Sequence, residues 1–357
     1  MNFKAGAYRI ALYFFTLLSA CHLHAQDLAA KADAYLQKQA ATKSFRGVAL
    51  IGVNGKIEFE RGYGFASEEL RVQNTPQTKF RIASLTKQFT AACVLLLQEQ
   101  GKLNVHDQIS KYLPGLPAAW QAITIHQLLT HTSGMPNYTE FPPISQLNLT
   151  GATPQAFIAV VADKQLLFPP GTKFSYTNTG YVLLGMLIEK VSGQHYADFL
   201  RGKIFTPLGM NDSGYDTAAA ILPLRAAGYQ LKDGMLVNAQ YIDMTVPFAA
   251  GGIYSTVEDL FKWNEALAHG KLLSEASQEL MFGIYPETGV NNSHYGYGVV
   301  MTERFSQQLY YHGGGVSGFA SSIQRYPAKN LCIVVLSNLE IVKPWEIGDG
   351  LAEMRLK

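Results

Sequence analysis

The chain has 357 residues, of which 48% are hydrophobic and 16% are charged, so it can bury a large core and is neither disordered nor fibrous. Its formal net charge at pH 7 is only +2. A chain so close to neutral is not expected to bind nucleic acid or an acidic membrane surface, because such binding depends on clustered basic residues.

The first 25 residues have the layout of a secretory signal peptide. Lys4 and Arg9 precede an apolar run, Ile10–Leu18, which is too short to span a bilayer. Residues 23–25 resemble an ordinary cleavage site, whereas residues 18–21 resemble a bacterial lipobox in which Cys21 would be lipidated. We expect residues 1–25 to be removed and the protein to be exported, periplasmic or secreted, with a membrane anchor only if Cys21 carries a lipid.

The first elements predicted after this leader are a helix and a hairpin. Apolar residues recur at helical spacing between Asp27 and Ala41, which predicts an amphipathic helix. Val48–Val53 and Lys56–Tyr63 run apolar or alternate around Asn54-Gly55, a residue pair that accepts positive φ at both central positions of a tight turn. This hairpin is the strongest strand signal in the sequence.

A second helix is predicted from Ser84 to Gln100, and Gly101 is placed to end it. Because nearly all of its faces are apolar, this helix should lie in the centre of the protein. The segment from Lys102 to about Glu287 has the pattern of short helices and loops. Short β-branched or aromatic strands return in residues 309–311, 321–326 and 331–337.

Strands at both ends of the chain with helices between them predict an α/β (α+β) fold. Its antiparallel sheet would combine N- and C-terminal strands and would be flanked by helices. Residues 27–86 and 288–357 would form this α/β domain, and residues 87–287 would form a mostly helical inserted domain. No repeat or Pro/Ser-rich linker divides the chain into separate units.

The cysteines and histidines predict neither a disulfide framework nor a metal site. Cys93 and Cys332, the two cysteines outside the leader, are expected to be buried thiols. His126 and His131 are five residues apart, on different sides of any helix, and no third ligand has metal spacing. We therefore expect no metal and no cofactor.

Ser84 and Lys87 place a hydroxyl and an amine three residues apart at the start of the second predicted helix. Side chains at i and i+3 lie on one face of a helix, so the two groups can touch. A serine hydroxyl becomes a good nucleophile when a base takes its proton, and a desolvated lysine with a lowered pKa can be that base. Alone, the tetrapeptide is weak support, since an N-cap serine beside a solvated lysine gives the same pattern.

Two further motifs make the pattern specific: Tyr176-Thr177-Asn178, and a histidine followed by three glycines at residues 312–315. The order Ser-x-x-Lys, Tyr-x-Asn and His-x-Gly resembles the serine β-lactamase and penicillin-binding-protein superfamily. The resemblance is to its branch of class C β-lactamases, D-Ala-D-Ala carboxypeptidases and related esterases. Residues 80–83, 128–134, 176–185 and 250–252 also resemble this family, and the similarity covers roughly residues 45–338.

The resemblance implies a catalytic role for each of the first two motifs. Ser84 would be the acylated nucleophile, and Lys87 would help to deprotonate it. Tyr176 would hydrogen-bond both residues, act as the base in acylation and later activate the hydrolytic water. Asn178 would hold Lys87 and a substrate amide.

The third motif would bind the substrate. The backbone N–H groups of Ser84 and Gly315 would form the oxyanion hole, and His312, Gly313 and Gly314 would line the site from an edge strand. Many family members have Lys-Thr-Gly here, and their ammonium and hydroxyl groups engage a substrate carboxylate. A histidine near its reference pKa of about 6.5 is mostly neutral at pH 7, so this chain lacks that charge.

These motifs predict an exported serine hydrolase that acts through an acyl-serine intermediate on an ester, amide or peptide. The neutral third motif favours an esterase or D-amino-acid peptidase over a true β-lactamase. The alternative is a non-catalytic relative that binds cell-wall peptides in the same cleft. The expected partner is a small-molecule or peptide substrate, and the sequence does not indicate an oligomeric state.

Overall fold

The computed structural model describes residues 27–42, 45–217, 219–290 and 292–357, so the predicted leader with Cys21 lies outside the described residues. The first elements are helix α1 (27–41), strands β1 (Gly47–Val53), β2 (Lys56–Tyr63), β3 (Phe65–Ser67), β4 (Val72–Gln73) and β5 (Phe80–Arg81), and helix α2 (Thr86–Glu99). Then follow α3 (Ile125–Leu129), α4 (Pro143–Thr150), α5 (Pro154–Val161), α6 (Asn178–Ser192), α7 (Tyr196–Leu200), β6 (Gly214–Tyr215), β7 (Tyr229–Lys232), β8 (Met235–Asn238), α8 (Phe248–Gly251), β9 (Ile253–Ser255), α9 (Val257–Ala268) and α10 (Glu275–Met281). The last elements are β10 (His294–Tyr295), β11 (Val300–Arg304), β12 (Gln307–Val316), β13 (Phe319–Tyr326), β14 (Leu331–Ser337) and α11 (Pro344–Leu356).

The principal sheet joins the two ends of the chain. Its seven strands follow the order β10-β11-β12-β13-β14-β1-β2, and each neighbouring pair is antiparallel. The β1–β2 hairpin turns at Asn54 and Gly55, which have φ of 50° and 75°. These positive angles match the turn chemistry of the Asn-Gly pair, and the sheet confirms the predicted fold class.

The central strands β1 and β14 are buried on both faces. Alternate residues of β1 face two different cores: Val48 and Leu50 belong to one, and Ala49, Ile51 and Val53 belong to the other. Residues of α1 and α11 cover the second core, and those of α2, α6 and α9 cover the first. Double coverage explains why β1 reads as a continuous apolar run and not as an alternating pattern.

Helix α2 lies at the centre of the first core, as its sequence predicted. It begins one residue after Leu85 and ends before Gly101, whose φ of 68° is in the left-handed region that favours glycine. Residues 86–95 are all buried, and the helix packs against α6 and α8. The start of α2 is therefore fixed from several directions.

The segment between α2 and β10 is mostly short helices and loops, but it also contributes short strands. Strand β9 pairs with β5 and β6, and β7 pairs with β8. Helix α9 packs against β1 and β14, so the inserted segment packs directly onto the sheet. The predicted domain bounds at residues 86 and 288 stay a prediction.

Two smaller observations concern the cysteines and the hydrophobicity of the helices. Cys93 and Cys332 are buried free thiols, as predicted. Within the described residues, no helix combines the length and the hydrophobicity that a bilayer span requires.

Candidate active site

Ser84 lies in a 3-10 turn, Ala83–Leu85, between β5 and α2. The residue before the turn is fixed on two sides: the Ile82 N–H donates to the carbonyl of Ile253 at 3.0 Å, and Ser321 Oγ donates to the carbonyl of Ile82 at 2.7 Å. Ala83 has a φ of 47°, which a residue with a Cβ rarely adopts. Such strain persists only where the surrounding structure enforces it, and it is concentrated at functional sites.

The amine of Lys87 is completely buried, with three polar neighbours. Nζ lies 3.1 Å from Ser84 Oγ, 2.8 Å from Asn178 Oδ1 and 2.8 Å from the carbonyl oxygen of Ala250. Loss of hydration lowers the pKa of Lys87 well below its usual value. A neutral amine has two N–H donors and one lone pair, so the two carbonyl oxygens take the donors and the lone pair is left for the Ser84 proton.

Tyr176 lies beside this amine, with Lys87 Nζ 4.8 Å from the centroid of its ring. Burial raises the pKa of the Tyr176 hydroxyl, and a hydrogen bond with Ser84 only partly opposes that shift. The hydroxyl is therefore protonated at neutral pH. This geometry favours the Lys87 amine over a Tyr176 phenolate as the group that takes the proton from Ser84.

Asn178 is the first residue of α6, and the start of that helix is held by its neighbours. The Thr177 hydroxyl accepts a hydrogen bond from the N–H of Thr179, which caps the helix. The Asn178 N–H donates to Asn137 Oδ1 at 3.1 Å. The Asn178 side chain is thus fixed with its oxygen toward Lys87.

His131 holds the loop that carries Tyr176, a role that the sequence did not reveal. Its carbonyl accepts from the N–H of Ser175 at 2.9 Å, and its Nδ1 accepts from the N–H of Thr177 at 3.2 Å. The centroids of the His131 and Tyr176 rings are 4.3 Å apart. Burial lowers the pKa of His131 well below its usual value, so the ring is neutral and packs against Tyr176 as an uncharged surface.

The signal that could have revealed His131 was its place in residues 128–134, which resemble the family. The spacing of His126 and His131 argued only against a zinc site and did not indicate the contact of His131 with the Tyr176 loop. Its backbone adopts a φ of 57°, and its side chain is buried. Both features depend on contacts with the Tyr176 loop, some 45 residues further along the chain.

Strand β12 presents an open edge beside Ser84. Strand β11 pairs only with Gln307–Tyr311, so residues 312–316 have one described neighbour, β13. A Cβ on Gly314 would lie 2.4 Å from the carbonyl oxygen of Ile82 and 2.9 Å from the backbone nitrogen of Ser84. A Cβ on Gly315 would meet nothing within 4 Å. The glycines thus allow the edge to pass against Ser84, close to where the predicted oxyanion hole requires it.

His312 lies behind this edge and is only 4% exposed. Its Nδ1 is 2.6 Å from the carbonyl oxygen of Gly313, which can only accept, so Nδ1 donates and Nε2 accepts from the Tyr295 hydroxyl at 2.9 Å. Burial, and secondarily Lys87, lowers the pKa of His312 to about 4. His312 is therefore neutral at pH 7. It and Gly313 do not line the cavity at Ser84, and their role in substrate binding stays a prediction.

A cavity of about 400 Å³ opens at Ser84 and is bounded by Asn178, Gly251 and Gly315 among others. We call the group behind Ser84 (Lys87, Tyr176, Asn178 and Ala250) the inner side. We call the opposite boundary of the cavity (Gln230, Gln240, Tyr241, Ser317 and Glu340) the outer wall. Among the described residues that line the cavity, Glu340 alone has a charged side chain.

A seven-stranded antiparallel sheet with a Ser-Lys-Tyr centre beside the start of a buried helix is the arrangement expected of the family that the three motifs resemble. The sequence model of the Beta-lactamase family matches residues 32–347, which is most of the chain. The protein belongs to the Beta-lactamase family, and the resemblance read from the three motifs is confirmed.

Relatives and solved structures agree with this assignment. PbpX of Bacillus subtilis (strain 168) is 33% identical over 298 residues, which cover 83% of this chain and 71% of PbpX. A penicillin-binding protein from Bacillus halodurans superposes with a TM-score of 0.80 at 28% identity, covering 90% of this chain and 98% of that one. The D-amino acid amidase from Ochrobactrum anthropi SV3, complexed with D-phenylalanine, gives a TM-score of 0.81 at 26% identity, covering 92% of this chain and 99% of that one.

Proposed function

We propose that this protein is a serine hydrolase that forms an acyl-enzyme on Ser84. The observation that carries the proposal is the buried Lys87 amine, whose two N–H donors have carbonyl acceptors while its lone pair faces Ser84 Oγ at 3.1 Å. A structural lysine would need a carboxylate to compensate for burial of its charge. No described carboxylate lies within ion-pair distance of Lys87, which supports a neutral, basic amine.

The proposed reaction has two steps. In acylation, Lys87 takes the Ser84 proton, Oγ bonds to the substrate carbonyl carbon, and the resulting oxyanion accepts from the backbone N–H groups of Ser84 and Gly315. The proton on Lys87 then passes to the leaving alcohol or amine as the bond to it breaks. In deacylation, water adds to the acyl carbon and gives up a proton to the Lys87–Tyr176 pair. That proton passes to Ser84 Oγ as the bond between Oγ and the acyl carbon breaks, which releases the acid and regenerates the serine hydroxyl.

In this scheme Tyr176 relays a proton while remaining a phenol. Its raised pKa makes a free phenolate costly, but a hydrogen bond to Ser84 lets the hydroxyl donate and accept in turn. The Tyr176→Phe variant should therefore be severely impaired, with deacylation affected at least as much as acylation. Intact-mass measurement should show trapped acyl-enzyme, and an unchanged turnover number would contradict the relay.

We propose esters, amides or peptides as substrates, in preference to β-lactams. Support comes from the neutral His312, and from a cavity whose described lining includes no lysine or arginine to receive a carboxylate. A charge-assisted hydrogen bond contributes about 1.5 to 3 kcal/mol, or roughly ten- to a hundredfold in specificity, and it is missing here. One structural neighbour is a D-amino acid amidase, which adds D-amino-acid amides to the substrates worth testing.

A fluorophosphonate probe tests the proposal directly. Wild-type protein should be labelled, and the Ser84→Ala variant should not be labelled. The same proteins should then be assayed on short-chain p-nitrophenyl esters, D-amino-acid amides, D-Ala-D-Ala peptides and a chromogenic cephalosporin. Folded wild type that is neither labelled nor active would favour the alternative, a binder of cell-wall peptides. Faster hydrolysis of the cephalosporin than of every ester and peptide would overturn the substrate class.

We also propose that the protein is exported. This rests on the N-terminal pattern alone, since residues 1–26 lie outside the described residues. Intact mass of protein made in a bacterial host should show a mature N-terminus at Gln26 or a lipidated Cys21. Full-length cytoplasmic protein that retains Met1 would contradict export.

A further inference from the structure

The outer wall offers a substrate one charged group, Glu340. This residue is exposed, lines the same cavity as Ser84, and follows β14 by three residues. The other polar side chains of the outer wall are amides and hydroxyls: Gln230, Gln240, Tyr241 and Ser317. A substrate group placed there meets a single negative charge among neutral donors and acceptors.

The Glu340 carboxylate is fixed through only one of its oxygens. Oε2 accepts from the N–H of Gly318 at 3.0 Å and from Gln230 Nε2 at 2.5 Å. No described residue makes a hydrogen bond or an ion pair with Oε1. The charge is thus held at the β12–β13 turn with one oxygen available to a ligand.

Other charged groups near the outer wall compensate each other. Arg81 and Asp243 both act on the Tyr241 hydroxyl, with opposite signs. Arg81 and Arg225 both pair with Asp216: Arg81 Nε lies 2.8 Å from Oδ2, and Arg225 Nη1 lies 2.8 Å from Oδ1. Glu340 itself makes no ion pair with any described residue. The outer wall therefore carries a net negative charge.

The spacing along β12 limits how far the Glu340 carboxylate can lie from the oxyanion position. Gly318, which binds the Glu340 carboxylate, is three residues from Gly315, so their backbones are at most about 10 Å apart. Gly315 lies beside the expected oxyanion position. The ε-ammonium of a lysine-like acyl chain can span a distance of this size, and an α-ammonium can reach the carboxylate if the separation is well below this limit.

We propose that Glu340 is a specificity residue that binds a primary ammonium group in the acyl part of the substrate. The proposal rests on the proposed function, because it concerns the same cavity and the same acyl-enzyme. It names the substrate class more closely: acyl groups with a positive charge, in place of the carboxylate that a Lys-Thr-Gly motif would bind. The third motif, residues 312–314, lacks the lysine ammonium that would bind a substrate carboxylate. The outer wall instead supplies the Glu340 carboxylate, which would bind a substrate ammonium.

The test compares matched substrates that differ by one charge. For the ω-position, the pair is p-nitrophenyl 6-aminohexanoate and p-nitrophenyl hexanoate; for the α-position, it is D-alanine p-nitroanilide and its N-acetyl derivative. Wild type should prefer one charged member by about three- to tenfold in kcat/KM. The Glu340→Gln variant should lose that preference through a higher KM, with kcat nearly unchanged, because the contact is made equally in the ground and transition states.

Two variants separate a charge effect from a structural one. Glutamine keeps an oxygen that can accept from Gly318, so Glu340→Gln should fold normally and retain Ser84-dependent turnover of the neutral hexanoate ester. The Glu346→Gln variant removes an exposed carboxylate of α11 that pairs with Lys343, and it should leave every ratio unchanged. The Glu340→Lys variant should reverse the preference, favouring the p-nitrophenyl half-ester of glutarate over the hexanoate ester.

The outcomes distinguish this inference from the proposed function. Ser84-dependent turnover of the hexanoate ester, with equal charged-to-neutral ratios in wild type and Glu340→Gln, would overturn the role of Glu340 and leave the hydrolase intact. Absence of any Ser84-dependent turnover would overturn the hydrolase itself. Loss of preference in one substrate pair only would identify which ammonium, α or ω, Glu340 binds.

Discussion

The inner side and the outer wall meet at Ser84, yet they are constructed differently. On the inner side, Lys87 and Asn178 are positioned by helices, and the Lys87 amine donates to two fixed carbonyl oxygens. The outer wall consists mainly of loop residues, with Tyr241 50% exposed and Glu340 holding one oxygen without a described partner. Chemistry needs reacting groups at fixed distances, whereas selection among substrates needs a surface with polar groups left unpaired.

This difference predicts how the two regions respond to change. Alterations of the inner side should affect every substrate alike, because they act on the bond-making step. Alterations of the outer wall should change the ratio between substrates and leave the reaction of small neutral esters almost intact. An inner-side variant that changed only specificity, or an outer-wall variant that abolished turnover, would contradict this difference.

The largest effect is expected from Lys87→Ala. Removal of the base should reduce kcat/KM on a neutral ester by about 10³-fold, equivalent to roughly 4 kcal/mol. Fluorophosphonate labelling should slow in parallel. The Lys102→Ala variant, an exposed lysine just beyond the same helix, is the control and should behave as wild type. Near wild-type activity of Lys87→Ala would show that the inner side is not the catalytic apparatus.

The buried His312 should make the protein acid-sensitive. Its pKa is depressed to about 4 in the fold, against about 6.5 when unfolded, so between these values the unfolded chain binds a proton that the folded chain does not. The free energy of unfolding should therefore fall as pH drops from 6.5 to 4, by at most about 3 kcal/mol from this group. Urea unfolding at pH 7 and 4.5 measures the fall, which should be smaller in His312→Asn. Equal falls in the two proteins would contradict the assignment.

Gly314 and Gly315, adjacent residues of β12, provide a matched pair of substitution sites. A methyl group on Gly314 would contact backbone atoms of Ile82 and Ser84 at 2.4 and 2.9 Å, so Gly314→Ala should push the strand away from Ser84. We expect a loss of about 100-fold in kcat/KM on all substrates, as for a lost oxyanion-hole donor. Gly315→Ala has open space around its Cβ and should cost less than about threefold. A larger loss in Gly315→Ala than in Gly314→Ala would contradict the close approach of Gly314 to Ser84.

The smallest effect should come from the outer wall. Tyr241→Ala removes a half-exposed ring from the cavity, so it should change the ratio of kcat/KM for bulky and small acyl groups by a few-fold. Stability should change by less than about 0.5 kcal/mol, because an exposed side chain contributes little to folding. Thermal unfolding and an ester series from acetate to decanoate measure both. Uniform loss of turnover across the series would show that the outer wall acts on catalysis, as the inner side does, and not on specificity.

A structural feature could be predicted from the sequence where the residues that determine it lie close together along the chain. The β1–β2 hairpin and helix α2 were predicted because Asn54-Gly55 and the apolar run after Ser84 act within one turn or a few residues. Strands β5, β6 and β9 are two or three residues long, too short for a periodic signal, and they exist through pairing with one another across distant parts of the chain. No local pattern could predict them.

The same rule applies to the site. Ser84 and Lys87 were predicted to touch because they lie three residues apart, and their contact follows from helical geometry. The second acceptor of the Lys87 amine, the carbonyl of Ala250, is a backbone atom with no residue-specific signature. His131 was visible only as part of a familiar stretch, since its hydrogen bond to Thr177 spans 46 residues.

By itself, the sequence determined the family, the sheet formed from both ends of the chain, and the side chains that can do acyl-serine chemistry. These depend on residue identity and short spacing, which a chain carries before it folds. Tertiary structure decided how burial shifts those groups: it lowers the pKa of Lys87 and raises that of Tyr176, which favours Lys87 as the proposed base. It also decided where the unpaired charge of Glu340 lies, because the cavity gathers loops that are far apart in the chain.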